Sequence, residues 1–123
     1  MRYASFAAAA VAALAFAAPA HAFCVNNLSS HHLSAWQTSG FKSAFKRFNV
    51  DLAPGERKCC NWQNSDCNHS GRADAEIEMR IAEQQTGFYN PPHVPRLTCI
   101  ATIRADRWIE IYDQGDTFRC ISY

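Results

Sequence analysis

The sequence predicts a small all-β domain, an antiparallel β-sandwich of seven to eight short strands held together by disulfides. Apolar and polar residues alternate with a period of two in several short runs, which is the pattern of strands with one buried face. Turn residues separate these runs at intervals typical of sandwiches. Six cysteines lie in residues 23–123, as is common in small disulfide-stabilised domains. A small β-barrel is the alternative arrangement of the same strands.

The start of the chain has the features of a signal peptide over residues 1–22. A basic residue precedes an apolar run over residues 6–18, and Ala20 and Ala22 satisfy the small-x-small rule for cleavage. The run is shorter than the roughly 20 apolar residues that cross a bilayer, and no second run of that length follows. We therefore expect a single domain over residues 23–123, secreted or periplasmic, with no transmembrane segment after processing.

The predicted strands follow one another as short alternating runs. They cover residues 23–28, 33–38, 48–52, 58–62, 75–81, 97–104, 108–112 and 117–123. A Pro-Gly turn at 54–55 and polar runs at 63–72 and 113–116 separate several of them. Only short turns join the last three predicted strands, so we predict that these strands form a β-meander.

Residues 75–81 are compatible with two kinds of structure. Alternating apolar and charged residues favour a strand, whereas good helix formers and a possible cap at Gly87 favour a helix. Met79 falls off the apolar face that a helix would present, so we predict a strand. A helix over residues 74–86 would make the domain α+β.

The charge balance limits the classes of partner. The whole chain has 12 basic and 11 acidic side chains, and one of the basic residues lies in the predicted signal peptide. Nucleic-acid binding needs a clear cationic excess, so we expect no nucleic-acid partner. The same neutrality argues against a polybasic membrane anchor. We expect a monomer.

The cysteines predict a disulfide framework made of Cys24, Cys59, Cys60, Cys67, Cys99 and Cys120. Cys59 and Cys60 are adjacent in a predicted strand, so their side chains should point to opposite faces and find different partners. Cys67 is the nearest partner for one of them. A Cys24–Cys120 bridge would tie the ends of the domain, which leaves Cys99 for the other, although the sequence alone does not select one pairing.

The alternative use of the cysteines is a zinc site formed by Cys59, Cys60, Cys67 and His69. The spacing lacks the usual Cys-x₂-Cys pair, and an oxidising compartment favours disulfides over thiolates. His31, His32 and His93 do not form a recognisable ligand pattern either. We therefore expect no metal and no cofactor.

No catalytic signature occurs in the sequence, which favours a non-enzymatic function. Glu76 and Glu78 share one face of a predicted strand, about 7 Å apart, a separation compatible with a pair of glycosidase carboxylates. Two acidic residues on a wet strand face are usually only solvated, so we discount this pair. We assign no catalytic residue.

Aromatic residues provide the candidate binding surface. Most of them are expected in the core, namely Trp36, Trp62, Trp108 and Tyr112. Phe88 and Tyr89 lie between Gly87 and a proline-rich loop, so we predict that they form an exposed contact surface. Asn27 and Asn68 begin Asn-x-Ser triplets and are candidate glycosylation sites if the source is eukaryotic.

Taken together, these features predict a secreted, disulfide-rich, non-enzymatic binding module that contacts a glycan or a protein through its loops. A small secreted effector or toxin-like protein is the first alternative, because size, export and cysteine content suit it equally. A metal-dependent enzyme that uses histidines or cysteines is the second.

Overall fold

The computed structural model describes residues 22–84 and 98–123, and all regular structure within them is β. The eight strands are β1 (Ala22–Asn27), β2 (Leu33–Gln37), β3 (Asn49–Leu52), β4 (Arg57–Asn61), β5 (Glu76–Glu83), β6 (Thr98–Arg104), β7 (Trp108–Gln114) and β8 (Thr117–Ser122). The prediction of an all-β fold with seven to eight strands is confirmed. The ambiguous segment forms β5, so the α+β alternative is wrong.

The strands form two four-stranded sheets. The front sheet has the order β4-β1-β7-β8, and the back sheet has the order β3-β2-β5-β6. Every pair is antiparallel except β1 with β7, which run parallel and make the front sheet mixed. The two sheets stay separate, so the arrangement is an open sandwich and the closed-barrel alternative is wrong.

The alternation seen in the sequence decides which face of each strand is buried. In β5, Ile77, Met79 and Ile81 are buried, whereas Glu78 and Arg80 between them are half-buried and exposed, respectively. Successive strand side chains point to opposite faces, so the three apolar residues face the other sheet.

The core lies between the sheets and draws on nearly every strand. Its fully buried large apolar side chains are Phe23, Val25, Leu33, Leu52, Ile77, Met79, Ile81, Ile109 and Ile111. Phe23 packs edge-on against Phe48, with ring centroids 5.1 Å apart, and so joins β1 to the start of β3. Burial of each such side chain contributes about 1.5–3 kcal/mol.

The last three strands do not form the predicted β-meander. β6 pairs with β5 in the back sheet, whereas β7 and β8 pair with each other in the front sheet. The turn between β6 and β7 therefore carries the chain from one sheet to the other. Ala105 in this turn is buried and donates its N–H to the carbonyl of Ala75. A short turn has the same local sequence signal whether it closes a hairpin or crosses between sheets.

Three disulfides join Cys24 to Cys59, Cys60 to Cys67, and Cys99 to Cys120. The prediction that Cys59 and Cys60 find different partners, one of them Cys67, is confirmed. The predicted Cys24–Cys120 pair and the assignment of Cys99 to Cys59 or Cys60 are wrong.

Strand placement explains the actual pairing of the other cysteines. Cys24 lies directly opposite Cys59 in the β1–β4 ladder, with 4.0 Å between their Cα atoms. Cys99 in β6 and Cys120 in β8 lie in different sheets along the same edge of the sandwich, 6.4 Å apart at Cα. The distance of a cysteine from the ends of the chain does not indicate which strand lies beside it, so it could not predict either disulfide.

All six cysteines are therefore oxidised in pairs, which fits an extracellular or otherwise oxidising compartment. The zinc alternative is wrong, because Cys59, Cys60 and Cys67 have no free thiolate to offer. Within residues 22–84 and 98–123, the chain forms no helix long and apolar enough to cross a bilayer.

Candidate functional site

The outer face of the front sheet carries a cluster of aromatic side chains. Along β7, Ile109 and Ile111 point into the core, so Trp108, Glu110 and Tyr112 point outward. At the edge of the sheet, the backbone N–H of Tyr123 donates to the carbonyl of Trp108 and brings the two residues level. We call Trp108, Glu110, Tyr112 and Tyr123 the aromatic platform.

The platform is partly open to solvent. The rings of Trp108 and Tyr123 stack with centroids 5.1 Å apart and an interplanar angle of 14°. Tyr123 is 47 % exposed, and Trp108 and Tyr112 are half-buried. Two stacked rings at the sheet surface stabilise each other and leave apolar area available for a ligand.

Glu110 organises the platform through hydrogen bonds. One carboxylate oxygen, Oε1, accepts from Nε1 of Trp108 at 3.3 Å, and the other, Oε2, accepts from the hydroxyl of Tyr112. The hydroxyl of Tyr123 lies close enough to Glu110 to influence its ionisation. One carboxylate thus holds two aromatic side chains, those of Trp108 and Tyr112, in a single arrangement.

These hydrogen bonds change the ionisation of the platform. The bond from Tyr112 lowers the pKa of Glu110 from its ordinary value, because it favours the charged carboxylate. The same bond raises the pKa of Tyr112 to about 12. Hydrogen bonding to Glu110 also raises the pKa of Tyr123. At neutral pH the carboxylate is therefore ionised and both phenols keep their protons.

Polar side chains lie next to the platform on the neighbouring strands. The parallel register places Asn26 of β1 beside Glu110, and Arg57 of β4 lies opposite Asn26 on the far side. The amide oxygen of Asn26 is buried and accepts no hydrogen bond from any residue of the described ranges. Beside the aromatic rings, this face therefore also carries the exposed side chain of Arg57.

The arrangement suits recognition of a ligand that has both apolar faces and hydroxyl groups. Rigid aromatic rings provide contact area at low entropic cost, and amide, guanidinium and carboxylate groups can hydrogen-bond the edges of the same ligand. Sugar rings have this chemistry, since their C–H groups form apolar faces and their hydroxyls lie around the rim.

Comparison with known proteins finds no protein-family model, curated protein or solved structure that matches the chain. The function is therefore argued from the geometry of the platform and the chemistry of its residues.

The sequence placed the candidate binding surface elsewhere. Phe88 and Tyr89 lie outside the described residues, so that prediction remains a prediction. The expectation that most of the other aromatic residues are buried in the core is wrong. Trp62 packs against the core, but Trp36, Trp108 and Tyr112 lie half-buried on outer sheet faces. Strand parity relative to the buried isoleucines of β7 is the signal that places Trp108 and Tyr112 outside.

Asn27, one of the two candidate glycosylation sites, is fully buried and holds two loops together. Its amide nitrogen donates to the carbonyls of His31, Leu52 and Ala53 at 2.7, 3.2 and 3.2 Å. Its amide oxygen accepts from the backbone N–H and the hydroxyl of Ser29. The Asn-x-Ser triplet therefore forms a hydrogen-bonded Asx turn, and the folded chain leaves no access to the amide.

Asn68 has the same kind of role in the loop between β4 and β5. It is buried, and its amide nitrogen donates to the carbonyls of Trp62 and Arg72 at 2.8 and 2.9 Å. Its amide oxygen accepts from the hydroxyl of Ser70. Both triplets thus have a structural explanation that is independent of glycosylation.

The remaining polar candidates are dispersed. His31 lies between Glu83 and Asp113, with N–O distances of 3.3 and 3.5 Å, and so links the two sheets. Glu78 accepts a hydrogen bond from Thr38 on the outer face of the back sheet. In the described part of the chain, no three histidine, cysteine or acidic side chains are grouped as metal ligands.

Proposed function

We propose that the protein is a secreted, disulfide-stabilised binding module that recognises a glycan through the aromatic platform. The observation that carries the proposal is the stacked Trp108–Tyr123 pair on an outer sheet face, with Glu110 fixed beside it by aromatic donors. The proposed binding surface is therefore the aromatic platform and not the loop of Phe88 and Tyr89 that the sequence favoured. The proposed function remains that of a secreted binding module.

The shape of the surface favours a glycan chain over a small enclosed ligand. The platform lies on neighbouring strands about 4.8 Å apart, so its rings can lie under one or two sugar units. Because the platform lies on an outer sheet face, both ends of a bound chain can continue into solvent. Because hydrogen bonds already hold the rings, little side-chain entropy is lost when a ligand binds.

The ionisation of Glu110 favours binding over catalysis. A general acid at neutral pH needs a raised pKa, whereas the pKa of Glu110 is lowered. Its two oxygens are also occupied by hydrogen bonds from the aromatic donors. Both features suit a carboxylate that positions rings and accepts from hydroxyls.

Export is the second part of the proposal. The signal-peptide features of residues 1–22 and the three disulfides support delivery to an oxidising compartment. Polysaccharides are abundant outside the cytosol, so export and glycan binding are consistent with each other.

A binding assay against cellulose, chitin, xylan and laminarin tests the proposal. We expect the purified protein to bind at least one of them. Replacing Trp108 with alanine should weaken that binding about ten- to hundredfold, because truncation of an aromatic anchor typically costs about 1–3 kcal/mol.

Trp36 provides the matched control. It is a half-buried tryptophan on the outer face of the back sheet, so Trp36→Ala removes the same side chain away from the platform and should leave affinity unchanged. Circular dichroism and thiol counting establish that both variants fold. Equal affinity of Trp108→Ala and the parent protein would remove the platform from the proposal, and binding to none of the four polysaccharides would count against glycan recognition.

A further inference from the structure

The loop between β2 and β3 presents a phenylalanine to solvent at its tip. Phe45 is 97 % exposed, the highest value among the large hydrophobic residues of the described ranges. The turn beneath it is hydrogen-bonded, since the N–H of Lys46 donates to the carbonyl of Ser43 at 3.0 Å. The N–H of Phe45 also donates to the hydroxyl of Ser43. An ordered turn therefore holds the ring away from the protein.

Cationic residues flank Phe45 in the sequence. Lys42 and Lys46 are exposed on either side of Phe45, and Arg47 lies over the ring of Phe41 with 5.7 Å from Cζ to the ring centroid. We call residues Phe41 to Arg47 the basic loop.

The cations of the basic loop are not neutralised. Within the described residues, Lys42, Lys46 and Arg47 form no ion pair, whereas Arg72 and Arg104 each pair with a nearby aspartate. An open cleft of about 410 Å³ along the β3–β4 edge is lined by Lys46 and Arg47, and Asp66 is the one acidic residue among its lining residues.

The base of the loop is fixed to the core. Gln37 is buried, and its amide nitrogen donates to the carbonyls of Ser39 and Cys67 at 2.8 and 2.6 Å. Its amide oxygen accepts from the N–H of Phe48 at 3.2 Å. Because both ends of the loop are held by this side chain, docking through the tip orders few additional groups.

We propose that the basic loop docks the protein on a bilayer surface that contains anionic phospholipids, with the ring of Phe45 among the headgroups and Lys42 and Lys46 beside their phosphates. Amphipathic membrane-surface segments combine the same groups, a large apolar side chain with flanking cations. The near-neutral net charge of the chain conceals this local excess of cations.

The geometry favours a bilayer over a folded protein partner. Protein interfaces rely on a contiguous patch with buried anchors, whereas Phe45 stands alone beside the small residues Ser43 and Ala44. A fluid headgroup region accommodates a single ring without a complementary pocket. Three unpaired cations also match the negative potential of anionic lipids.

The expected interaction is weak and reversible. Each cation close to an anionic surface increases partitioning about fivefold, and burial of a phenylalanine ring increases it about ten- to hundredfold. The electrostatic part decreases as salt is added, because the Debye length shortens.

Sedimentation with lipid vesicles tests the proposal. We expect the purified protein to bind vesicles of phosphatidylcholine mixed with phosphatidylglycerol, and to bind pure phosphatidylcholine much less. Phe45→Ala should lower the partition coefficient about ten- to hundredfold. Phe45→Trp keeps a large aromatic ring and should have a partition coefficient similar to that of the parent protein. The double variant Lys42→Gln with Lys46→Gln should have a partition coefficient that is lower by about tenfold or more, with a weaker dependence on salt.

Ile100→Ala is the matched control, since Ile100 is 56 % exposed on the outer face of the back sheet, outside the basic loop. Ile100→Ala should leave vesicle binding unchanged, and so should Trp108→Ala, because this inference is independent of glycan binding. No preference for anionic vesicles, or equal binding by Phe45→Ala and the parent protein, would overturn the proposal.

Discussion

Asn26 and Asn27 are neighbours in β1 whose side chains meet opposite surroundings. Asn27 points into the sandwich, where its amide makes five hydrogen bonds that join two loops. Asn26 points to the outer face, where its amide oxygen has no partner within the described ranges. The same residue type thus joins two loops at one position, whereas at the next its amide oxygen makes no hydrogen bond within the described ranges.

Substitution of these two residues should separate the roles. Asn27→Ala leaves buried carbonyls and Ser29 without partners, so we expect the free energy of unfolding to fall by about 2–4 kcal/mol. Asn26→Ala removes no hydrogen bond found among residues 22–84 and 98–123 and should change the free energy of unfolding by less than about 0.5 kcal/mol. Urea denaturation measures both, and similar losses for the two variants would contradict this explanation.

The Glu110–Tyr112 pair gives a prediction about ionisation. The carboxylate raises the pKa of Tyr112 to about 12, so Glu110→Gln should return it toward the ordinary value of 10.0. Site-resolved NMR titration of the tyrosine rings measures this change. Retention of a pKa near 12 in the variant would show that Glu110 is not the cause.

The same pair contributes to stability within a defined pH window. Folding raises the pKa of Tyr112, so its contribution is complete below about pH 10 and is lost as pH rises through about 12. Folding lowers the pKa of Glu110, so its contribution is present above the ordinary value of 4.5 and is lost as pH falls through the lowered value. Both groups lie near the surface, so solvent screening keeps the effects small.

At the scale of the strands, the disulfides have different tasks. Cys99–Cys120 joins β6 of the back sheet to β8 of the front sheet and closes one edge of the sandwich. Cys60–Cys67 attaches β4 to the loop that follows it in the chain. The first bridge connects the two layers, and the second fixes one connection between strands.

Removal of these bridges should have unequal effects. The cysteines of Cys99–Cys120 are separated by 21 residues and those of Cys60–Cys67 by 7, so chain entropy predicts losses of about 3.5 and 2.5 kcal/mol. We expect Cys99→Ala with Cys120→Ala to destabilise the protein more than Cys60→Ala with Cys67→Ala. Urea denaturation of the two double variants decides the order, and a larger loss for the short-range pair would contradict it.

The strands themselves could be predicted because the information is local. Alternation at Ile77, Met79 and Ile81 identified β5, and it identified β7 in the same way. The pairing of strands depends on which apolar faces meet across the sandwich, and no short segment contains that information. The parallel β1–β7 pair and the passage of the chain between sheets after β6 therefore escaped prediction, and with them two of the disulfides.

At the scale of the whole molecule, the sequence predicted an aromatic contact surface but located it at Phe88 and Tyr89 and not at the aromatic platform. Aromatic content indicated a binding surface, but the stack of Trp108 and Tyr123 forms only when β7 and β8 lie side by side. Net charge argued against a polybasic membrane anchor, because counting over the whole chain averages the three cations of the basic loop against distant acids. The aromatic platform is a product of tertiary arrangement, whereas the basic loop is a continuous segment whose charge the whole-chain count conceals.

The position of β1 between β4 and β7 has a consequence for how the polypeptide acquires its shape. The back sheet is built from β2, β3, β5 and β6, whereas the front sheet needs both ends of the chain, since Cys24 is level with Trp108. While the ribosome or an export channel still holds the later residues, one side of β1 lacks its neighbour, and the apolar side chains of Phe23 and Val25 lack part of their cover. A chaperone that shields β1 until β7 emerges would protect the nascent molecule from aggregation at its most vulnerable stage.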